Sequence, residues 1–202
     1  MSYIATNEEW LRETEGIPEV NLMEMLTVRE QRVYKQLQLL QELPEDGVLI
    51  NLNLNIAGPV KRFPAAEYAF NEGLRRIEKA LTLNNIKVLR RIEDRLDTGL
   101  VAYFSIQGDP LIVKNIMVKL EDEDALGRLY DIDVLILDRE AMGNADKKIA
   151  RSDIGAEDRG CLICGATGRL CARNRAHSVE ELQLKTLSII NEYRINKDEG
   201  NN

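Results

Sequence analysis

The chain is short of the side chains that most often do site chemistry. It has one histidine, three cysteines and one tryptophan in 202 residues. No apolar run approaches the roughly 18 residues of a membrane-spanning helix, so no membrane partner is expected. The opening MSYIATNEEWLRETEG lacks a basic-then-apolar leader, and an odd cysteine count speaks against a disulfide framework. Both point to reduced thiols in a cytoplasmic setting. Positive charge is also in deficit: 27 Lys and Arg against 34 Asp and Glu leave −7, which argues against nucleic acid as a partner. What is present, 44% hydrophobic and 30% charged residues, suits one globular domain over 1–202 with a real core. Residues 1–19 and 196–202 are expected to be peripheral or frayed.

Patterning predicts a helix over 20–43, started by Asn21 with Glu24 and carrying Leu22, Leu26, Val33, Leu37 and Leu40 at helical spacing. VLINLNLNI alternates strictly and predicts a strand; Asn51, Asn53 and Asn55 on its polar face either read a ligand or meet solvent, with solvent expected for the first two. A helix over 64–83 follows. Residues 86–93 and 100–107 read as a hairpin turning at Asp97-Thr98-Gly99, and a helix opens at Asp109-Pro110. RLYDIDVLIL (128–137) is a further strand. Residues 139–160 are polar and read as a loop or flap, and Ser178 with Glu181 starts a final helix. The expected fold is α+β: a mixed or antiparallel sheet with a hairpin, covered by helices, nucleotidyltransferase-like, with a Cys/His loop before the C-terminal helix.

Three segments carry chemistry. Asp131 and Asp133 are two apart on a strand, so their carboxylates emerge on one face. Their mutual repulsion is relieved if they hold a cation such as Mg²⁺, as in many nucleotidyltransferases; the plain alternative is a solvated strand face. Arg128 beside them either clamps phosphate oxygens or pairs with Asp131. Next, Cys161, Cys164, Cys171 and His177, every cysteine and the sole histidine, fall within seventeen residues. C-x₂-C-x₆-C-x₅-H has the spacing style of a Zn²⁺ site; lining a substrate site and simple thiol packing stay open beside it. Arg169, Arg173 and Arg175 add local positive charge with no acidic residue between 161 and 177, whereas residues 1–30 hold seven glutamates against two arginines. Last, Gly58 and Lys61 lie in N-I-A-G-P-V-K at a helix start, where backbone N–H groups and a lysine can hold an anion. The same Gly-Pro is also an ordinary corner.

The stretches A-G-P-V-K (57–61), L-G-R-L-Y-D-I-D-V-L (126–135) and C-L-I-C…C-A-R…H (161–177) resemble the holo-citrate lyase synthase family, the apo-citrate lyase phosphoribosyl-dephospho-CoA transferases. The resemblance spans about 20–195. It implies transfer of the phosphoribosyl-dephospho-CoA moiety of 2′-(5″-triphosphoribosyl)-3′-dephospho-CoA to a serine of the citrate lyase acyl carrier (γ) subunit, with loss of diphosphate. In that reaction Asp131 and Asp133 would hold Mg²⁺. Arg128, Lys61 and Arg173 would neutralise phosphate oxygens, and Gly58 and Gly127 would allow close backbone approach. The chain departs from the family at Asp124-Ala125, where the family often carries His-Pro, so no role for that histidine transfers. Two other readings of the same residues are a protein-modifying nucleotidyltransferase that uses ATP and a non-enzymatic zinc-stabilised interaction module.

Overall fold

Alternating and helical periodicities both materialise in the computed structural model, which describes residues 3–140 and 145–200. The elements are α1 (Asn7–Thr14), α2 (Leu22–Gln41), β1 (Gly47–Leu54), α3 (Pro64–Leu83), β2 (Val88–Leu96), β3 (Gly99–Gln107), α4 (Pro110–Asp122), β4 (Tyr130–Asp138), β5 (Ala145–Ile149), α5 (Gly168–Asn174) and α6 (Val179–Gly200). Local chemistry sets the helix starts. Asn21 accepts from Glu24 N at 3.0 Å while Glu24 accepts from Asn21 N at 2.8 Å, and Ser178 with Glu181 repeats the device. Pro64 and Pro110 occupy first-turn positions where no N–H is needed.

The five strands form one sheet in the order β2-β3-β1-β4-β5, with every pairing antiparallel. Val48, Ile50 and Leu52 of β1 enter the main core with Phe70 and Ile77 of α3, Val113 and Met117 of α4, and Leu187 and Ile190 of α6. Each such large side chain, once buried, contributes about 1.5–3 kcal/mol. On the opposite face a smaller cluster joins Leu39 and Leu40 of α2 to Leu49, Val101, Tyr103 and Leu135. Among the described residues no helix is long and apolar enough to cross a membrane.

Four expectations are corrected. The N-terminal residues are docked rather than frayed, although α1 itself has no buried residue: Ala5 is buried, its N–H donates to Ser188 Oγ at 2.8 Å, and Trp10 meets Phe63 edge-on at 5.0 Å. At the other end α6 continues past 196, and Lys197 Nζ bonds Glu72 at 2.9 Å. The polar 139–160 stretch contains β5 and a single-turn helix, Arg151–Ile154. On α2, Leu22, Leu26 and Val33 are exposed, while Gln36, Leu39 and Leu40 turn inward because only the C-terminal half lies over the sheet. Residues 1–2, 141–144 and 201–202, parts of the expected frayed ends and flap, lie outside the described residues.

Candidate functional site

β4 outruns its neighbour. β5 pairs only with Val134 to Asp138, so the outer edge at 130–133 has no strand beside it. Backbone groups there still need partners, and side chains supply them. Glu121 accepts from Ile132 N at 2.9 Å, and Lys114 Nζ donates to Ile132 O at 3.0 Å. Arg159 donates to Tyr130 O at 2.6 Å and to Arg128 O at 2.7 Å. The space left by the missing strand, walled by the Cys/His segment and the start of α6, is a cavity of about 930 Å³.

Asp131 opens into this cavity. Burial, and then the neighbouring Asp133, push its carboxyl above the ordinary carboxylate value. Asp133 is ion-paired with Lys148 from β5. Burial works against charge on that lysine, but its bond to Asp133 prevails and raises it. Around the carboxylates, Lys114, Arg128, Lys148, Arg151, Arg159, Arg169 and Arg175 outnumber Glu121, Asp131, Asp133 and Asp158. Burial holds Lys114 and Arg159 below their usual values. Such an excess of cations in a partly enclosed space attracts polyanions.

Cys161, Cys164, Cys171 and His177 converge on the cavity's rim, their ligand atoms all within 4.8 Å of one another. Cys164 Sγ lies 3.5 Å from Cys171 Sγ and 3.3 Å from His177 Nε2. The backbone hydrogen bond of Ala166, then His177 and Cys171, draw the Cys164 thiol down to about 6. Its bond to Cys164 pushes Cys171 up to about 11. This group can hold a metal ion.

The other expected site residues are placed differently. Arg128 lines the cavity and donates to Gly160 O at 2.6 Å. Arg173 is exposed on α5 and is not among the lining residues; Arg169 and Arg175 are. Lys61 is committed to Ile56 O at 2.6 Å, and burial lowers it. Gly58, at φ +82°, makes its close approach to the Gln183 side chain of α6. Gly127 approaches α4, where a Cβ would lie 2.4 Å from Leu120 O. Backbone packing against α4 favours glycine at 127, and the left-handed φ favours it at 58. Asn51 and Asn53, expected in solvent, are buried. Sequence reasoning missed Lys148 and Arg159, which sit in the stretch read as a loop. It also missed Lys114 and Glu121, polar residues on the inward face of an otherwise apolar helix.

Taken by architecture and site, this is an α+β protein whose half-covered sheet edge carries a carboxylate pair amid cations. The family profile of apo-citrate lyase phosphoribosyl-dephospho-CoA transferase matches residues 20–193, and the chain belongs to that family. A Streptococcus pyogenes (serotype M5, strain Manfredo) probable apo-citrate lyase phosphoribosyl-dephospho-CoA transferase is 36% identical over 180 residues, 89% of each chain. A Vibrio cholerae relative of the same description is 31% identical over 86% of this chain and 93% of its own. A Haemophilus influenzae protein named CitXG is 32% identical over 87% of this chain and 36% of its own.

Proposed function

We propose that the chain transfers a phosphoribosyl-dephospho-CoA group from 2′-(5″-triphosphoribosyl)-3′-dephospho-CoA to a serine of the citrate lyase acyl carrier (γ) subunit, as one nucleotidyltransferase-like unit acting in the cytoplasm. The observation that carries this reading is the cavity itself: the D-I-D carboxylates open into a cation-rich space in a chain that matches the family from residue 20 to 193. The serine oxygen attacks the α-phosphorus of the donor, a new P–O bond forms, the bond to diphosphate breaks, and the hydroxyl proton is lost to water. Asp131 and Asp133 offer the oxygen-only ligands that Mg²⁺ prefers; when bound there, Mg²⁺ supplies positive charge against the triphosphate. Lys148, Arg128 and Arg175 line the same cavity, and their positive charge would neutralise phosphate oxygens there. His177 Nε2 lies 3.3 Å from Cys164 Sγ within the Cys/His cluster, and as a ligand to a metal there it would not serve as the base for the serine.

Mass spectrometry of the apo-carrier after incubation with donor and Mg²⁺ tests this. The expected result is a mass gain equal to phosphoribosyl-dephospho-CoA. A gain of an adenylyl group in a parallel incubation with ATP in place of the donor would point to the ATP-using alternative, and a carrier left unmodified by the donor would overturn the reading.

For the Cys/His cluster the reading is a structural Zn²⁺ site. A tetrahedral ion with bonds near 2.3 Å holds its ligands roughly 3.8 Å apart, close to the separations found here. Purified protein is expected to carry one equivalent of zinc by elemental analysis. Cys164→Ser should lower that content well below one and make the region around 160–177 exchange amide hydrogens faster. Full zinc occupancy in Cys164→Ser would sink the assignment.

A further inference from the structure

Asn51 and Asn53 of β1 stand directly opposite Asp133 and Asp131 of β4 in the antiparallel register. Opposed residues in such a pair send their side chains to the same face, with Cβ atoms about 5 Å apart. The two amides therefore lie beside the two carboxylates. Asn51 is 1% exposed and Asn53 9%, yet the Oδ1 atom of each has no hydrogen-bond partner. A buried acceptor left unpaired costs folding free energy, and native chains retain few of them. Here two occur on one strand, two residues apart, each directly across from one of the two carboxylates.

The unsatisfied atoms and their neighbours share one chemistry. Asn51 Oδ1, Asn53 Oδ1 and both carboxylates are acceptors; Lys148 on Asp133 is the one ion pair found on either carboxylate among the described residues. A row of acceptors calls for positive charge. Two carboxylates balance a divalent ion, and neutral amide oxygens then add coordination without surplus negative charge. We infer that Asn51 and Asn53 complete an all-oxygen divalent-cation site with Asp131 and Asp133, their Oδ1 atoms facing the ion or its bound waters. This rests on the reading of the aspartates given above and extends the site across two strands.

Mn²⁺, which also prefers oxygen ligands, is the probe. Its binding is followed by loss of the free-ion electron paramagnetic resonance signal in wild type, Asn51→Leu, Asn53→Leu, Asn53→Asp and Asp131→Asn. Wild type is expected to bind one ion, and each Leu variant to bind it at least tenfold more weakly. Because the Leu variants remove an unpaired buried oxygen, their ion-free unfolding midpoints should be unchanged or higher. Asn53→Asp, which keeps an oxygen at this position, should bind at least as tightly as wild type. Should both Leu variants bind within threefold of wild type while Asp131→Asn loses the ion, the asparagines are not part of the site and the carboxylate reading survives alone. Should a Leu variant fail to fold, Asn53→Asp binding no better than Asp131→Asn overturns the inference. Absence of Mn²⁺ binding in wild type overturns both readings together.

Discussion

Asp131→Asn and Asp133→Asn are each expected to slow the carrier's gain in mass by about three orders of magnitude, equivalent to roughly 4 kcal/mol of transition-state stabilisation. The loss should fall on kcat, because the charge these groups manage is greatest as diphosphate departs. Folding should be spared, for different reasons at the two positions. The Asp131 carboxyl is held above its ordinary value by burial and by Asp133. A carboxyl raised on folding contributes stability below its unfolded value and loses it as pH rises through the folded one. At neutral pH ionised Asp131 therefore works against the fold, and the amide should leave the unfolding midpoint unchanged or higher. Asp133→Asn gives up an ion pair with Lys148, whose side chain is half exposed, and such pairs are worth about 0–1 kcal/mol. Carrier modification near the wild-type rate in either variant, with the fold intact, would end the catalytic assignment.

Arg76→Ala is expected to be the most damaging change away from the cavity. Arg76 is buried and reaches three carboxylates: Glu72 at 3.3 Å, Glu123 at 3.5 Å and Asp124 at 2.6 Å. Its guanidinium also lies over the Tyr193 ring at 5.0 Å and the Tyr130 ring at 5.8 Å. Removing one partner from a buried charge cluster costs about 3–5 kcal/mol, which for a chain of this size corresponds to roughly 10 °C in Tm. The pH dependence should change with it. Burial opposes ionisation of Glu72 and Asp124, but hydrogen bonds to Arg75, Lys197 and Tyr193 for the first, and to Arg76 for the second, hold both below their ordinary 4.5 and 3.8. Carboxyls lowered on folding stabilise above the unfolded value and lose that contribution as pH falls through the folded one. Wild-type Tm should therefore drop below about pH 4.5, and the drop should be shallower in Arg76→Ala. Circular dichroism melts from pH 3 to 7 read both effects; identical slopes would show that Arg76 does not hold Asp124 ionised. Asp124 Oδ1 also accepts from Gly127 N at 2.8 Å, so this cluster anchors the turn that launches β4 toward Asp131.

Much of the architecture was legible in local signals. The capping pairs at Asn21 and Ser178, the alternation of β1, the hairpin at Gly99 and the proline-led helices each declare themselves within a few residues. What escaped was whatever depends on a distant cover. β5 (ADKKI) reads as loop because an edge strand can be polar on nearly every position. Asn51 and Asn53 read as solvated because alternation says only that they oppose the apolar face; it does not say that α2 lies on their side. The stripe on α2 misled for the same reason, since helical spacing shows that a face exists and not how far the sheet extends beneath it. At the site, the short spacings Asp131-x-Asp133 and Cys161-x₂-Cys164 were visible. Arg159, thirty residues from the strand whose carbonyls it holds, could be placed only by the fold.

The uncovered edge of β4 has a consequence for the protein's behaviour in a crowded solution. A strand with free N–H and C=O groups along one side is a template on which another chain can add itself. Here the carboxylate of Glu121, the ammonium of Lys114 and the guanidinium of Arg159 already occupy those groups at Tyr130 and Ile132. The gap beside β4 is thereby closed to a foreign strand. Replacing Glu121 or Lys114 with apolar residues would expose a sticky edge, and self-association would be the price of the vacated bonds.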